Sequence, residues 1–181
     1  GGDIYQEYPG IPEDAFSASR DGTYYSKLYV LHVLQRDRRV QGLYNPGLDL
    51  YVAMDLGRND LTVLTFFQWH RLSTSLSPVG GELRIVDEYR NSGEDLVHYT
   101  DYLKKYSRDT GRQIHTVILP HDASVTDFTA RGRSRLQIIN DEGITNTIVM
   151  PKTDVASAIQ LVRSYIPHMI IDNSCVYLDS C

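Results

Sequence analysis

The sequence lacks several features that would place it in a common class of protein. No stretch approaches the roughly 18 uninterrupted apolar residues of a membrane-spanning helix, and no basic segment leads into an apolar core at the start, so neither a membrane span nor a signal peptide is predicted. Cysteine is scarce, with two among 181 residues. Because Cys175 and Cys181 have no histidines at the spacing of a zinc site, they are interpreted as reduced cytosolic thiols. Repeats and low-complexity segments are also missing.

Positive charge is in short supply as well. The chain carries 18 Lys and Arg against 23 Asp and Glu, which gives a net charge of −5. This balance disfavours a protein that coats nucleic acid nonspecifically, although a net value does not exclude a local basic patch. Hydrophobic residues make up 41% of the sequence, which is enough to build one globular domain with its own core.

What the sequence does contain is a change of pattern near residue 49. Residues 1–48 form a predicted connector and N-terminal helix: residues 1–22 are punctuated by Gly and Pro, and the helix is predicted at residues 22–39. Residues 49–181 form the predicted main domain, with three strands followed by alternating helices and strands. The predicted strands are at residues 50–57, 60–70, 82–90, 114–122 and 145–151 and from 168 onward; the predicted helices are at residues 92–111, 127–143 and 152–167. The first three strands suit an antiparallel meander and the later units suit parallel strands, so the predicted fold is an α/β, ribonuclease H-like mixed sheet with flanking helices.

Two carboxylates stand out at the ends of otherwise apolar strands. Asp55 closes the strand "YVAMD", and Asp122 follows the strand and proline in "HTVILPHD". Each has an ordinary interpretation, as a turn residue for Asp55 and a helix cap for Asp122. Ligand sites in open sheets favour the C-terminal ends of strands, however, and paired carboxylates suit the hard cations Mg²⁺ and Mn²⁺. Two such ions about 4 Å apart promote phosphodiester hydrolysis.

Four segments in register carry a family resemblance. They are "VAMDLGRNDLTVLTFFQ", "VDEYRNSGEDLVHYTDYL", "ILPHDAS" and "RSRLQIINDEG", and the upstream "YQEYPGIPEDAFSASRDGTYY" fits with them. Together they resemble the nuclease domain of phage large terminase subunits, the DNA-packaging motors of tailed bacteriophages. The resemblance covers nearly the whole chain. It implies a metal-dependent endonuclease that cuts double-stranded DNA, with Asp55 and Asp122 as catalytic residues and metal ligands.

The resemblance also implies what surrounds such a domain. The full motor has an ATPase domain, a small terminase subunit and a portal protein as partners, and it acts in the host cell cytoplasm. This sequence contains no P-loop, so no ATP site is expected in it. The family's third acidic ligand normally lies in a later helix, and the sequence ends at Cys181 before any such motif. The domain is therefore expected to be truncated at its C-terminus, to bind metal weakly and to be inactive if that ligand is missing.

Several further residues are weaker candidates. Asp60 is a possible metal ligand, although a turn or strand start explains it as well. Asp172 is a late acidic residue that could approach the site, but a turn residue is the preferred interpretation. The basic cluster after the proposed site is a candidate DNA contact, because positive charge at a helix start opposes the helix dipole; its members are Arg131, Arg133 and Arg135.

Two other classes of function remain open from the residues alone. In a non-catalytic docking module the acidic residues would be turn residues and the basic ones would bind a protein or DNA surface. A different ribonuclease H-like enzyme, such as a resolvase or an integrase-type strand transferase, would use similar carboxylates. The "EYPGIPEDAF" connector disfavours this second alternative.

Overall fold

The computed structural model describes residues 24–57, 61–72, 80–126 and 132–178. Within these ranges seven strands form one sheet, in the order β1-β7-β4-β3-β2-β5-β6. The strands are β1 (Arg39–Val40), β2 (Leu50–Asp55), β3 (Thr62–Arg71), β4 (Gly81–Asn91), β5 (Ile114–Leu119), β6 (Thr147–Val149) and β7 (Met169–Asp172).

Four α-helices and three shorter helical segments accompany the sheet in the described ranges. The α-helices are α1 (Ser26–Tyr29), α2 (Leu96–Thr110), α3 (Arg135–Asp141) and α4 (Val155–Tyr165); the shorter segments are a π-helix (Val30–Leu34) and two 3₁₀ helices (His121–Ser124 and Ile166–His168). No helix in the part of the chain that the structure describes has the length and apolar character needed to cross a membrane.

The sheet mixes the two pairing modes as the order of elements predicts. Strand β3 pairs antiparallel with both β2 and β4. The pairs β2–β5, β5–β6, β4–β7 and β1–β7 are all parallel. All strands except β3 therefore point the same way, and their C-terminal ends share one edge of the sheet. The predicted meander followed by parallel crossover units is confirmed.

Each face of the sheet has its own apolar cluster. On the first face, Leu50, Val52 and Met54 of β2 alternate inward and pack with Tyr99 and Leu103 of α2. On the second face a smaller cluster joins the N-terminal π-helix to the last strand; its buried members are Val33, Ile85, Ile166, Ile171 and Cys175. Because side chains alternate along a strand, Tyr51, Ala53 and Asp55 point to this second face.

The predicted helix at residues 22–39 is confirmed at residues 26–34 but ends earlier than expected. Helix α1 lasts four residues and continues as a π-helix that ends at Leu34. Asp37 then takes a positive φ of 49°, which ends the helical path, and Arg39 and Val40 form strand β1. Strand β1 pairs only with β7 among the described strands, 132 residues later. A local helical pattern of apolar residues does not reveal pairing with a strand so far away in the sequence.

The predicted helix at residues 127–143 is shorter than expected. Residues 127–131 lie outside the described ranges, and α3 begins at Arg135. Ser134 fixes this start, since its side chain accepts a hydrogen bond from the Gln137 N–H while the Gln137 side chain accepts one from the Ser134 N–H. This reciprocal capping box satisfies two donors that a helix start otherwise leaves unpaired.

Candidate metal centre

The two predicted catalytic carboxylates lie at the C-terminal edge of the sheet. Asp55 is at the end of β2, and Asp122 is just after the neighbouring strand β5. In the parallel pair β2–β5, Ala53 lies opposite Ile118. Continuing this register puts Asp55 beside Pro120, one strand spacing of about 4.8 Å away. Asp122 lies two residues further along, in the 3₁₀ turn that follows β5. The fold therefore brings the ends of both strands to one place.

Asp55 occupies an open position at this edge. It is the last residue of β2 and the only exposed one in that strand. Within the described ranges, no hydrogen bond or ion pair engages its carboxylate; residues 58–60, which follow in the chain, lie outside them. An exposed carboxylate anchored on a rigid strand keeps its oxygen atoms available to a ligand.

Asp122 lies inside the 3₁₀ helix after β5 and is not its N-cap residue. Pro120 is the N-cap residue of the 3₁₀ helix and gives no side-chain cap, whereas Asp122 lies inside the helix. The Asp122 carbonyl accepts a hydrogen bond from the Val125 N–H at 3.0 Å, and Ala123 beside it is fully buried. The Asp122 carboxylate instead forms an ion pair with Arg135, whose Nη1 lies 3.2 Å from Oδ2. The cap interpretation of Asp122 is therefore wrong.

Two charged residues of β4, Glu88 and Arg90, lie on the same face of the sheet as Asp55. Across β3, the register aligns Asp55 with Val63 and then with Arg90 of β4. The Arg90 guanidinium stacks on the Tyr177 ring, 3.5 Å from its centroid. Glu88, two residues before Arg90 in β4, accepts a hydrogen bond from the Tyr177 N–H. Burial raises the pKa of the Glu88 carboxyl. The segment around Tyr177 thus occupies Glu88 and orients Arg90.

Asp172 belongs to a different part of the fold. The register aligns Ile171 with Ile85, Phe67 and Tyr51 in one row, so Asp172 lies about three residues short of Asp55 and three strands away. With about 3.3 Å per residue and 4.8 Å per strand, the two backbones are roughly 17 Å apart. This separation exceeds the reach of two aspartates towards ions about 4 Å apart.

The Asp172 carboxylate already has structural partners. It is 8% exposed and accepts hydrogen bonds from the Leu43 N–H at 2.6 Å and from the N–H and hydroxyl of Ser174, each at 3.0 Å. Burial alone would raise the pKa of this carboxyl, but the hydrogen bonds from Ser174 and Leu43 outweigh it and lower the pKa. The turn interpretation of Asp172 agrees with these contacts.

The remaining predicted residues are distributed as follows. Asp60 and Arg131 lie outside the described residues. Arg133 is exposed and pairs with Asp141 at 3.2 Å, whereas Arg135 turns towards Asp122. The two described arginines of the predicted cluster therefore have separate acidic partners.

The donor set at this edge suits a hard divalent cation. Asp55 and Asp122 offer carboxylate oxygens, which Mg²⁺ and Mn²⁺ prefer. Among the described residues, however, no group of three or more His, Cys, Asp or Glu side chains is arranged to hold a metal ion. The two carboxylates fit part of a coordination shell, and further ligands have to come from elsewhere.

Sequence reasoning did not find the Arg135–Asp122 ion pair or the position of Arg90. The unusual placement of a cation at the first position of a helix was the one available signal for Arg135. Arg90 gave no signal, because its role depends on strand register and on a contact 87 residues later in the chain.

Solved structures of phage large terminases share this fold. The P22 large terminase nuclease domain is 15% identical over 78% of this chain and 70% of that one, with a TM-score of 0.55. The large terminase of a thermophilic bacteriophage is 20% identical over 82% of this chain, also with a TM-score of 0.55. This chain spans 34% of that second protein's length. No protein-family model and no curated protein sequence matches the chain. The likeness confirms the predicted ribonuclease H-like fold.

Proposed function

We propose that this chain is the nuclease domain of a viral terminase large subunit and that it cuts double-stranded DNA by metal-dependent phosphodiester hydrolysis. One observation carries the proposal: Asp55 ends β2 and Asp122 lies in the turn that follows its parallel neighbour β5, in a fold shared with the P22 nuclease domain. Carboxylates brought together at a strand edge are the minimum that metal-dependent hydrolysis asks of a protein.

The proposed cofactor is Mg²⁺ or Mn²⁺. Asp55 and Asp122 would hold the metal, and the remaining ligands would come from outside the described residues. When bound, such ions activate water and neutralise the charge that builds on the phosphate. The protein's own contribution is to hold the carboxylates on strand ends, and the exposed position of Asp55 leaves room for a duplex to approach.

The cellular setting is proposed on the same resemblance. The domain would act on concatemeric DNA during genome packaging in the host cytoplasm. Its partners would be the terminase ATPase domain, the small terminase subunit and the portal protein. Residues 1–48 would be the connector from the ATPase domain, and residues 49–181 the nuclease domain.

Cleavage of supercoiled plasmid in the presence of Mn²⁺ tests the proposal. We expect the full-length protein that contains this chain to give open-circular and linear products, and its Asp55→Asn and Asp122→Asn variants to cut at least about a hundredfold more slowly, since losing a metal ligand removes several kcal/mol of charge stabilisation. Asp49→Asn is a matched control, because this exposed aspartate flanks the opposite end of the same strand.

Two results would contradict the proposal. If the full-length protein leaves plasmid intact at every Mn²⁺ concentration while DNA is still bound, the non-catalytic docking module becomes the better explanation. If Asp122→Asn cuts as fast as the parent, Asp122 is not a ligand of the reacting centre.

A further inference from the structure

The Arg135 side chain lies on a carboxylate that the proposed function assigns to metal. We propose that Arg135 is the counterion of Asp122 in the metal-free domain, that a divalent cation must displace it, and that the released guanidinium then contacts a DNA phosphate. This inference rests on the proposed function and adds a coupling between metal binding and DNA binding at that site.

The contact itself is direct. Arg135 Nη1 lies 3.2 Å from Asp122 Oδ2, and the Arg135 side chain is 23% exposed. The Asp122 side chain is 47% exposed, so a cation from solvent can reach the carboxylate beside the guanidinium. The ion pair is therefore accessible to competition instead of being sealed in the core.

The fold delivers Arg135 to this position through defined contacts. After the 3₁₀ turn that holds Asp122, Thr126 forms an isolated antiparallel bridge with Ser134. Ser134 is 3% exposed and begins α3 through its capping box with Gln137. Arg135 is the next residue, so its backbone is fixed from two sides although 13 residues separate it from Asp122.

Helix electrostatics do not account for an arginine here. The start of a helix carries partial positive charge, so a cation at its first position is unfavourable. The Asp122 carboxylate supplies the compensating charge. Arg133 provides the contrast, because it pairs with Asp141 at the far end of the same helix and is 52% exposed.

Metal binding would change the partners of both side chains. A divalent cation on Asp122 competes for the same oxygen and repels the nearby guanidinium, because like charges a few ångströms apart are unfavourable. An arginine released at the edge of the sheet can offer paired N–H donors to a phosphate. Because Arg135 competes for Asp122, metal is bound less tightly than it would be by the two carboxylates alone. Because metal releases Arg135, DNA is bound more tightly once metal is present.

This coupling predicts opposite effects of one substitution. Arg135→Gln should bind Mn²⁺ about three to ten times more tightly than the parent, measured by isothermal titration calorimetry or by the spin resonance of free Mn²⁺, because the competing charge is gone. The same variant should bind a short duplex in Mn²⁺ about three to ten times more weakly at low salt. A residue that merely supports the fold would weaken both.

Matched variants complete the experiment. Arg133→Gln removes an equal charge from the same segment and should leave the Mn²⁺ affinity unchanged, since its partner is Asp141. Arg135→Lys keeps the charge and should retain an Mn²⁺ affinity near that of the parent. Arg135→Met removes the charge but keeps an unbranched side chain, so it should bind Mn²⁺ about three to ten times more tightly, which keeps the test decisive if Arg135→Gln fails to fold. Thermal unfolding of each variant identifies such a failure.

The outcomes separate this inference from the proposed function. If Asp122→Asn loses Mn²⁺ binding but Arg135→Gln binds Mn²⁺ no more tightly than the parent, the counterion role is overturned and the nuclease proposal stands. If the parent binds no Mn²⁺ that depends on Asp55 and Asp122, both are overturned.

Discussion

Replacing Asp172 by asparagine should destabilise the protein through hydrogen bonding alone. Both carboxylate oxygens are in use: Oδ2 accepts the Leu43 N–H, and Oδ1 accepts the N–H and the hydroxyl of Ser174. Asparagine offers one acceptor oxygen, and its NH₂ group would face a donor on the other side. However the amide is oriented, a donor in this buried corner loses its acceptor.

The expected loss can be worked from these contacts. An unsatisfied buried donor costs about 1–3 kcal/mol, and the remaining bonds lose the assistance of a full charge. We therefore expect Asp172→Asn to lower the free energy of unfolding by about 2–3 kcal/mol. For a chain of this size that corresponds to a fall in Tm of roughly 4–12 °C.

Urea unfolding with and without Mn²⁺ measures the effect. The loss for Asp172→Asn should be the same in both conditions, since its carboxylate serves the backbone of Leu43 and not an ion. Asp49→Asn is the control, because its side chain is 61% exposed and exposed substitutions usually change stability by less than about 0.5 kcal/mol.

The dependence on pH has a defined sign. Hydrogen bonds lower the pKa of Asp172 in the folded protein below the ordinary value of 3.8. Its stabilisation is therefore fully present above that value and is lost as the pH falls through the lower folded pKa. Parent and variant should converge in strong acid. Equal unfolding midpoints near neutral pH would refute the reasoning, and a loss that appears only with Mn²⁺ would make Asp172 a metal ligand.

Three further predictions concern the fold. Gly81→Ala should destabilise the protein by about 1–3 kcal/mol in urea unfolding, because a Cβ there would lie 2.6 Å from the His70 carbonyl oxygen; an unchanged midpoint would contradict this close approach. Burial raises the pKa of Cys175 to about 12, so in a Cys181→Ser variant its thiol should react with a disulfide reagent at pH 8 only after unfolding; rapid labelling of the native protein would show that the site opens. Asp95→Ala removes the N-cap of α2, which accepts the His98 N–H at 3.0 Å, and should cost about 1 kcal/mol in thermal unfolding; no loss would mean that another group takes over the cap.

The sheet was predictable where its signals are local. Strand β2 alternates buried side chains with half-buried ones along "LYVAM", and α2 has its buried residues on one face. The sequence indicated that Asp55 and Asp122 could converge if their two strands were neighbours, and β2 and β5 are parallel neighbours in the sheet. This part of the site follows from strand direction alone, without knowledge of side-chain contacts.

Strand β1 and the partners of the arginines could not be predicted, because they depend on residues distant in the sequence. Strand β1 has two residues and takes its conformation from β7, so "RRV" reads as the end of a helix. The predicted arginine cluster divides because Arg133 and Arg135 meet different carboxylates, which only the path of α3 decides. A charge pattern predicts that cations are present; it does not predict which anion each one meets.

The position of β7 has a consequence for the order in which the protein can be completed during synthesis. This strand enters between β1 and β4, although it is the last strand in the described sequence. Until residues 169–172 leave the ribosome, β4 presents an unpaired flank and the N-terminal segment around Val33 lacks the Ile171 side chain that it packs against. Nascent chains of this protein should therefore expose an unpaired strand edge, which can pair with other chains, until late in translation. Chaperone contact would protect them most during this interval.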